Sequence, residues 1–385
     1  MVEFDAAGTD PVGEAGLGAA FLDGFGSFRS LLRKAQTGSQ EADGLGQAGA
    51  FTATLPEPTD TILPTEISTQ VHTNAPTPSG QVTLDAVGDI MLGRMIGQQV
   101  LAKGPQIVFA GVQSVLDATD IRVGNLECAI TDLGTPAKKL YTLQAPPAAA
   151  MALSQGKFDL VSLANNHAMD YGYVGLADEQ ETLNQAGIGM VRAGVNFDQA
   201  HSPMFLERNG LRLAFQAYVD VPIEQGGFDT HTWAATADQP GLAWADPDQI
   251  KIDVAAARQQ ADVVVVLLHS GIEIGKYIPT ISANHRADAY AAIEGGAALV
   301  PGAHPHILES IEHYHGGLIA FNLGNFVFDD YQDIANATII LRVVLTRAGV
   351  QSYDYIPVLI DNALPNVIPD NQVPAIGTMV APGNP

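Results

Sequence analysis

Residues with metal-ligating side chains stand at or just after the ends of strand-like apolar runs in this 385-residue chain. In an open α/β sheet the carboxyl ends of the strands line up along one crevice, so such residues converge in space even when they are far apart in sequence. Carboxylate, amide and imidazole groups together suit a borderline divalent ion such as Zn²⁺, Mn²⁺ or Fe²⁺. The residues in such positions are Asp89, Glu127, Asn166, His167, His269, His304 and His306.

The histidines carry the most specific part of this pattern. His304 and His306 stand two residues apart in the sequence GAHPH, where Pro305 fixes the backbone between them. Imidazoles at i and i+2 of an extended segment share a face, which suits paired metal ligation. His269 ends a run rich in valine and leucine, as expected of a strand buried on both faces of a parallel sheet. The positions of these three histidines therefore predict that they belong to a metal site rather than to the apolar core.

The sequence LANNHAMDYG predicts a further part of the same site. Asn166 directly precedes His167, and Asp170 follows three residues later, where it can orient the imidazole as carboxylates do in catalytic and metal sites. We therefore predict His167 and Asp170 as catalytic residues. The structural alternatives are that Asn166 caps a helix and that Asp89 caps the helix after its own strand.

Neighbouring polar residues are candidates for substrate contacts. Asn125 lies two residues before Glu127 and shares its face of an extended segment. Arg94, or the pair Lys138 and Lys139, would neutralise an anionic substrate, although Arg94 is equally a surface charge. The predicted substrate-binding residues are Arg94, Asn125, Lys138, Asn165, Glu273 and Asn325.

Composition restricts the partners. The chain has 18 basic and 42 acidic side chains, for a formal charge of −24, which repels nucleic acid and anionic membrane surfaces. We therefore expect no nucleic-acid partner, and a polyanionic substrate only where local cations or a bound metal reverse the sign of the field. Cys128 is the single cysteine, so no intramolecular disulfide forms. No run reaches the ~18 apolar residues of a transmembrane helix, and the N-terminus lacks the features of a signal peptide.

Apolar strands alternate with helical patterns from residue 82 onward, which favours layered α/β architecture. The predicted strands are 82–87, 120–124, 159–163, 188–192, 211–217, 262–268, 297–300, 318–322 and 338–345. The predicted helices are 106–118, 146–155, 174–186, 246–260 and 281–295. Residues 1–51 are predicted to form a weakly ordered N-terminal segment with a short helix. Residues 52–80, with eight threonines and five prolines, are predicted to form a linker. The main domain is predicted over 81–360, and a Pro-rich tail over 361–385.

With these motifs identified, the chain resembles the CapA family of poly-γ-glutamate capsule synthesis proteins, whose domain is related to the calcineurin-like metallophosphoesterases. The resemblance runs from about Val82 to Asp329 and rests on motifs in the family's order: GDIMLGR, GNLE, LANNHAMDYG, AGVN, GAHPH and LGNFVFD. It implies a four-layer αββα sandwich in which two mixed sheets are flanked by helices.

The resemblance also implies residue roles. The predicted metal ligands are the residues that match the phosphoesterase ligands, namely Asp89, Glu127, Asn166, His269, His304 and His306. Glu127 stands in the place of the metal-bridging aspartate, and His167 matches the histidine that assists the leaving group. Two departures are visible. The phosphoesterase Asp-x-His start reads Asp89-Ile90-Met91, so one imidazole ligand is absent, and Ser270 replaces the aromatic residue of the family's HWGxE.

The function implied is a metal-dependent hydrolase or transferase, phosphoesterase-like, that uses one or two divalent ions (Mn, Fe or Zn) on an anionic capsule or envelope polymer. The alternatives are a non-catalytic envelope component that binds or guides poly-γ-glutamate through bound metal, and a decayed site retained as structure. The implied partners are that polymer or a phosphoester, and a membrane complex of capsule synthesis. The implied location is extracytoplasmic and associated with the cell surface.

Overall fold

The computed structural model describes residues 80–191, 193–273, 280–331 and 334–369. The predicted N-terminal segment, the linker before Gly80 and the last part of the predicted tail lie outside these ranges. No helix within them is long and apolar enough to span a membrane.

The strands of the described residues are numbered in chain order. They are β1 (Gln81–Ile90), β2 (Ile121–Leu126), β3 (Ala129–Ile130), β4 (Gln144–Ala145), β5 (Leu160–Ser162), β6 (Gly189–Val191), β7 (Ala193–Gly194), β8 (Met204–Arg208), β9 (Leu211–Asp220), β10 (Gly241–Leu242), β11 (Val263–Ser270), β12 (Leu299–Ala303), β13 (Ile311–Tyr314), β14 (Gly317–Ala320), β15 (Asn325–Val327), β16 (Ala337–Thr346), β17 (Gly349–Asp361) and β18 (Leu364–Val367).

Each helix of the same ranges occupies only part of a connection between two strands. The α-helices are α1 (Arg94–Lys103), α2 (Gln113–Leu116), α3 (Ala150–Gln155), α4 (Gly172–Gln185), α5 (Phe197–His201), α6 (Pro247–Arg258) and α7 (Ala283–Gly295). Short 3₁₀ turns occur at Pro105–Ile107, Pro147–Ala149, Thr230–Trp233 and Ile334–Asn336.

Two mixed sheets form the centre of the fold. Sheet I has the order β18-β17-β16-β1-β2-β5-β6, with β15 also paired to β1. In it β1, β2, β5, β6 and β15 run parallel to one another. Strand β16 runs antiparallel to β1, β17 antiparallel to β16, and β18 antiparallel to β17. Sheet II has the order β13-β14-β12-β11-β9-β8, with parallel central strands and antiparallel edges.

Alternation along β11 shows how the layers stack. Val263 and Val265 belong to the apolar core that also contains the strands of sheet I, whereas Val264 and Val266 belong to a second core with α6 and α7. Buried residues of α1, α3 and α4 join the first core. The fold is therefore the four-layer α/β sandwich that the sequence predicts.

Each of the predicted strands has a counterpart, but the predicted helix over 106–118 is wrong. That segment contains most of the 3₁₀ turn at Pro105–Ile107 and the four-residue α2. Between them Gly111 lies against β18, where a Cβ at this glycine would stand 2.3 Å from Oδ1 of Asn366. Helix α1 and strand β17 were not predicted. Strand β18 lies within the segment predicted as a tail and pairs with β17.

Candidate metal centre

The carboxyl ends of parallel strands from both sheets position the predicted ligands. Asp89 is the penultimate residue of β1, Glu127 directly follows β2, and His269 is the penultimate residue of β11. On β11 the side chains of Val265 and Leu267 face the core between the sheets. His269 has the same parity, so its imidazole also enters the space between the sheets.

Two glycines allow the backbone to pass close to the site. A Cβ at Gly88 would stand 1.8 Å from the carbonyl oxygen of Gly324, and one at Gly302 would stand 2.0 Å from that of Phe321. The first contact lets the Asp89 amide donate to Gly324 at 3.0 Å and brings β15 beside β1. Any larger residue at either glycine would separate the segments that carry the ligands.

The GAHPH loop holds its histidines in unusual backbone conformations. His304 has φ of 107° and His306 has φ of 59°, in the region that non-glycine residues rarely adopt. Strain of this kind persists only where the surrounding structure enforces it, and it concentrates at functional sites. The extended i, i+2 geometry predicted for this pair is therefore wrong in detail, although both imidazoles reach the same site.

Two groups of ligand atoms result, and Glu127 belongs to both. One group is Glu127, His269 and His304, and the other is Asp89, Glu127 and His306; within each group the ligand atoms lie within 4.8 Å of one another. The Oδ1 atom of Asn166 lies 2.7 Å from Nε2 of His269 and so adjoins the first group. All six predicted metal ligands are thus brought together.

The polar atoms of Glu127 indicate that a cation fits here. Both of its carboxylate oxygens are buried without a hydrogen-bond partner among the described residues, as is Nδ1 of His304. Burial raises the pKa of Glu127 well above its ordinary value, and the negative charges of Asp89 and Glu273 add to the shift. A buried carboxylate without a partner is costly. Divalent ions between these groups would supply the missing partners, so the donor set fits a two-ion centre.

The pKa shifts of the imidazoles differ in direction. Burial lowers the pKa of His269 to about 3 and that of His304 well below its usual range, so both are neutral and able to ligate at pH 7. Burial is the largest single influence on His306 and opposes its charge, but the contacts with Asp89, the charge of Glu273 and the hydrogen bond of Asn325 together raise the pKa of His306. Burial likewise opposes charge on Asp89, and the hydrogen bond and charge of His306 hold the Asp89 pKa below its usual value.

Three asparagines predicted to contact substrate instead hold candidate ligands. Asn125 donates to Oδ1 of Asp89 at 2.8 Å and lies 3.1 Å from Nδ1 of His269. Asn165 donates to the Asn125 side chain at 3.1 Å, and Asn325 Oδ1 lies 2.9 Å from Nδ1 of His306. All three are buried, Asn165 and Asn325 completely. In this structure these three amides hydrogen-bond to neighbouring groups of the protein and have almost no accessible surface, so their position favours a role in holding the candidate ligands.

His167 and Asp170 form the pair that the sequence predicts. Nδ1 of His167 lies 2.7 Å from Oδ2 of Asp170, and that oxygen also accepts from the Leu143 amide at 2.6 Å. The opposite nitrogen, Nε2, lies 3.9 Å from Oε1 of Glu127. Because Asp170 holds Nδ1, the free edge of the imidazole faces the candidate metal centre.

The basic residues differ most from expectation. Arg94 is paired with Asp329 at 2.5 Å, and Lys138 is exposed. The Lys139 side chain is instead completely buried, 2.7 Å from Oδ1 of Asp170 and 2.5 Å from Oε1 of Glu224. Lys139 is therefore unable to neutralise a substrate, which corrects that prediction. Glu224 carries no motif, and the sequence gives no signal for it.

Glu273 marks the rim of the site. Its side chain is 53% exposed, and its Oε1 lies 3.6 Å from Nε2 of His306. The predicted substrate contact at this residue remains compatible with its position, since it is both accessible and adjacent to a candidate ligand.

Comparison with known proteins gives one family and two curated relatives. Residues 83–330 match the family model described as bacterial capsule synthesis protein PGA_cap. The chain is 32% identical over 282 residues to the PGA biosynthesis protein CapA of Bacillus subtilis, covering 72% of each chain. It is 31% identical over 296 residues to the capsule biosynthesis protein CapA of Bacillus anthracis, covering 75% of this chain and 70% of that protein.

A solved structure with a similar arrangement is a phosphatase from Mycoplasma pneumoniae. It is 10% identical, with a TM-score of 0.47, and the match covers 72% of this chain and 94% of that chain.

Proposed function

Because this chain belongs to the PGA_cap family of bacterial capsule synthesis proteins, we propose that it acts on an anionic envelope polymer through a divalent metal centre. The family assignment confirms the resemblance seen in the sequence. The observation that carries the proposal is the position of Glu127, which belongs to both ligand groups and has both oxygens buried without a hydrogen-bond partner in the part of the chain that the structure describes. The ligands of this centre are the two groups together with Asn166.

The proposed reaction is hydrolysis or group transfer at a phosphoryl or acyl centre. Divalent ions held there would supply Lewis acidity and positive charge to the reacting oxygen. The chain's own contribution to proton transfer comes from His167, whose Nε2 faces the centre while Asp170 holds Nδ1. A proton on Nε2 is placed for delivery to a leaving group, an effect typically worth ~10² to 10⁴ in rate.

The proposed substrate is a poly-γ-glutamate-type polymer or a phosphoester, and the proposed place of action is the cell envelope, within a capsule-synthesis membrane complex. The names of both Bacillus relatives support the polymer and the capsule. The formal charge of −24 opposes approach of a polyanion. In this proposal the bound cations also reverse the sign of the electrostatic potential at the place where the polymer binds.

A second function is a non-catalytic protein that grips the polymer through the metal. The observation that favours it is at Met91, the position where the phosphoesterases have a histidine ligand. Met91 is completely buried, and its Sδ accepts from the Gly93 amide at 3.1 Å. The ion beside Asp89 and His306 would then have fewer protein ligands, which leaves room for a carboxylate of the polymer.

The variant His167→Asn separates the two functions. The metal-loaded wild type is assayed on phosphoesters and on poly-γ-glutamate, with product release and polymer affinity measured in parallel. An enzyme loses ~10² to 10⁴ of its rate in this variant and retains metal. Polymer binding that is equal in wild type and variant, without turnover on any substrate by either protein, would favour the binding function and contradict catalysis.

A further inference from the structure

The buried ammonium group of Lys139 lies among three oxygen atoms next to the candidate centre. Nζ is 2.7 Å from Oδ1 of Asp170, and it donates to Oε1 of Glu224 at 2.5 Å and to the main-chain oxygen of Asn166 at 2.7 Å. The rings of Trp233 and Phe228 lie 5.1 and 5.8 Å from Nζ. A buried charge with carboxylate, carbonyl and aromatic neighbours is fully paired, so the group is fixed in place.

Glu224 fixes the orientation of the Asn166 amide. Nδ2 of Asn166 donates to Oε1 of Glu224 at 2.9 Å, while Oδ1 points to Nε2 of His269 at 2.7 Å. An ionised carboxylate accepts hydrogen bonds but donates none, so only the NH₂ side of the amide can face it. The amide oxygen, which is the atom that ligates a metal, is thereby directed toward His269.

From this arrangement we propose that Lys139 and Glu224 are positioning residues of the metal centre, acting through Asn166 and Asp170. Glu224 keeps the Asn166 side-chain oxygen directed toward the ion. Lys139 holds the loop 166–170 in place by contacting both of its ends, the main-chain oxygen of Asn166 and the carboxylate of Asp170, and it also holds Glu224. One ammonium group thus sets both a metal ligand and the carboxylate that orients His167. The role at the ion rests on the proposed function, whereas the role in holding the loop does not.

The first test is divalent-ion affinity. The full chain and its Lys139→Met and Glu224→Ala variants are titrated with Mn²⁺ in a calorimeter. Loss of a group that orients a ligand typically weakens metal binding 10- to 100-fold, and we expect a loss of about this size in both variants. Lys157→Met is the matched control, because Lys157 forms a Lys–Asp pair with Asp117 at 2.7 Å but is 56% exposed. We expect that control to bind as the wild type does.

Rescue by a conservative change separates positioning from general packing. Glu224→Gln retains an oxygen that accepts from Lys139 and from the Asn166 amide, so it should recover most of the affinity lost in Glu224→Ala. The absorption spectrum of bound Co²⁺ should follow the same order, altered in Glu224→Ala and close to wild type in Glu224→Gln. Wild-type affinity and spectrum in Glu224→Ala would overturn the role of this residue at the ion.

The second test needs no metal. Hydrogen exchange of the backbone amides at 165–172 is measured in the ion-free protein. We expect Lys139→Met to speed exchange there by about tenfold or more, with no change in Lys157→Met. Unchanged exchange in Lys139→Met would overturn the proposal even if ions bind. Faster exchange in a protein whose wild type binds no divalent ion would support the holding of the loop, while the proposed metal function would fall.

Discussion

Replacing Glu127 by glutamine is expected to stabilise the ion-free protein and to reduce the stabilisation that added metal provides. Among the residues that the structure describes, no hydrogen-bond partner reaches either buried oxygen of Glu127, and burial raises the pKa of Glu127 well above the ordinary value. A carboxyl whose pKa is raised by folding stabilises the fold fully only below its unfolded pKa of about 4.3. That contribution is lost as the pH rises through the folded pKa, so ion-free wild type should lose stability from acidic toward alkaline pH.

Glutamine removes the ionisation and keeps the size. An unsatisfied buried polar group costs about 1–3 kcal/mol, and more when it is charged. We therefore expect Glu127→Gln to raise the free energy of unfolding of ion-free protein by about 1–3 kcal/mol at pH 8, and by less at pH 5. For a domain of this size each kcal/mol shifts the midpoint of thermal unfolding by about 2–4 °C.

Added Mn²⁺ should reverse the order of the two proteins. At a free concentration of about 100 times Kd, an ion that binds only the folded state adds ~2.7 kcal/mol to stability. The wild type should show this gain, and Glu127→Gln should show less because its affinity is lower. The matched control is Glu179→Gln: Glu179 is completely buried, its pKa is raised to about 8 mainly by burial, and it belongs to neither ligand group.

The measurement is thermal unfolding of the three proteins at pH 5 and pH 8, with chelator and with Mn²⁺. Glu179→Gln should alter the pH dependence and leave the gain from Mn²⁺ unchanged. Equal stabilisation of wild type and Glu127→Gln by Mn²⁺ would refute the reasoning about the shared carboxylate. Loss of stability in ion-free Glu127→Gln at pH 8 would refute the reasoning about its unpaired burial.

Three further substitutions test a buried ion pair of the fold, an exposed ion pair that serves as its control, and one contact within the site. Arg342→Ala removes the bidentate partner, with both contacts at 2.7 Å, of the completely buried Asp85, and should cost ~3–5 kcal/mol in chemical denaturation. Arg347→Ala, whose own pair is 64% exposed on the arginine side, should cost less than ~1 kcal/mol, and equal losses would contradict the argument. Asn325→Ala removes the amide oxygen 2.9 Å from His306 Nδ1 and leaves Asp89 as the remaining contact of that nitrogen, at 3.3 Å. It should weaken Mn²⁺ binding ~10- to 100-fold in calorimetry; unchanged affinity would show that Asn325 does not orient that imidazole.

The sequence predicts that the candidate ligands lie close together because they stand at or just after the ends of strands. Asp89, Glu127 and His269 stand at strand ends, and the carboxyl ends of parallel strands meet at one place whatever the details of the loops. The same reasoning predicts the layered fold, since nine apolar runs correspond to strands of the two sheets. In these strands the apolar pattern of the sequence agrees with the observed topology of the two sheets.

Residues that depend on tertiary contacts were not predictable in this way. Lys138 and Lys139 are adjacent and identical in type, and only packing against Trp233 and Glu224 decides which one is buried. Asn125 has the same spacing from Glu127 whether it faces substrate or holds Asp89. The left-handed backbone of the GAHPH loop likewise comes from its surroundings, because no residue there other than Gly302 favours positive φ.

The most direct test of the shared metal centre is a crystal structure of the protein soaked with Mn²⁺, examined by anomalous scattering. We predict two peaks about 3.5–4 Å apart, one on each side of the Glu127 carboxylate. The first should adjoin Asp89 and His306, and the second should adjoin Asn166, His269 and His304. Peaks elsewhere on the protein, with none in contact with Glu127 at saturating Mn²⁺, would contradict the central claim.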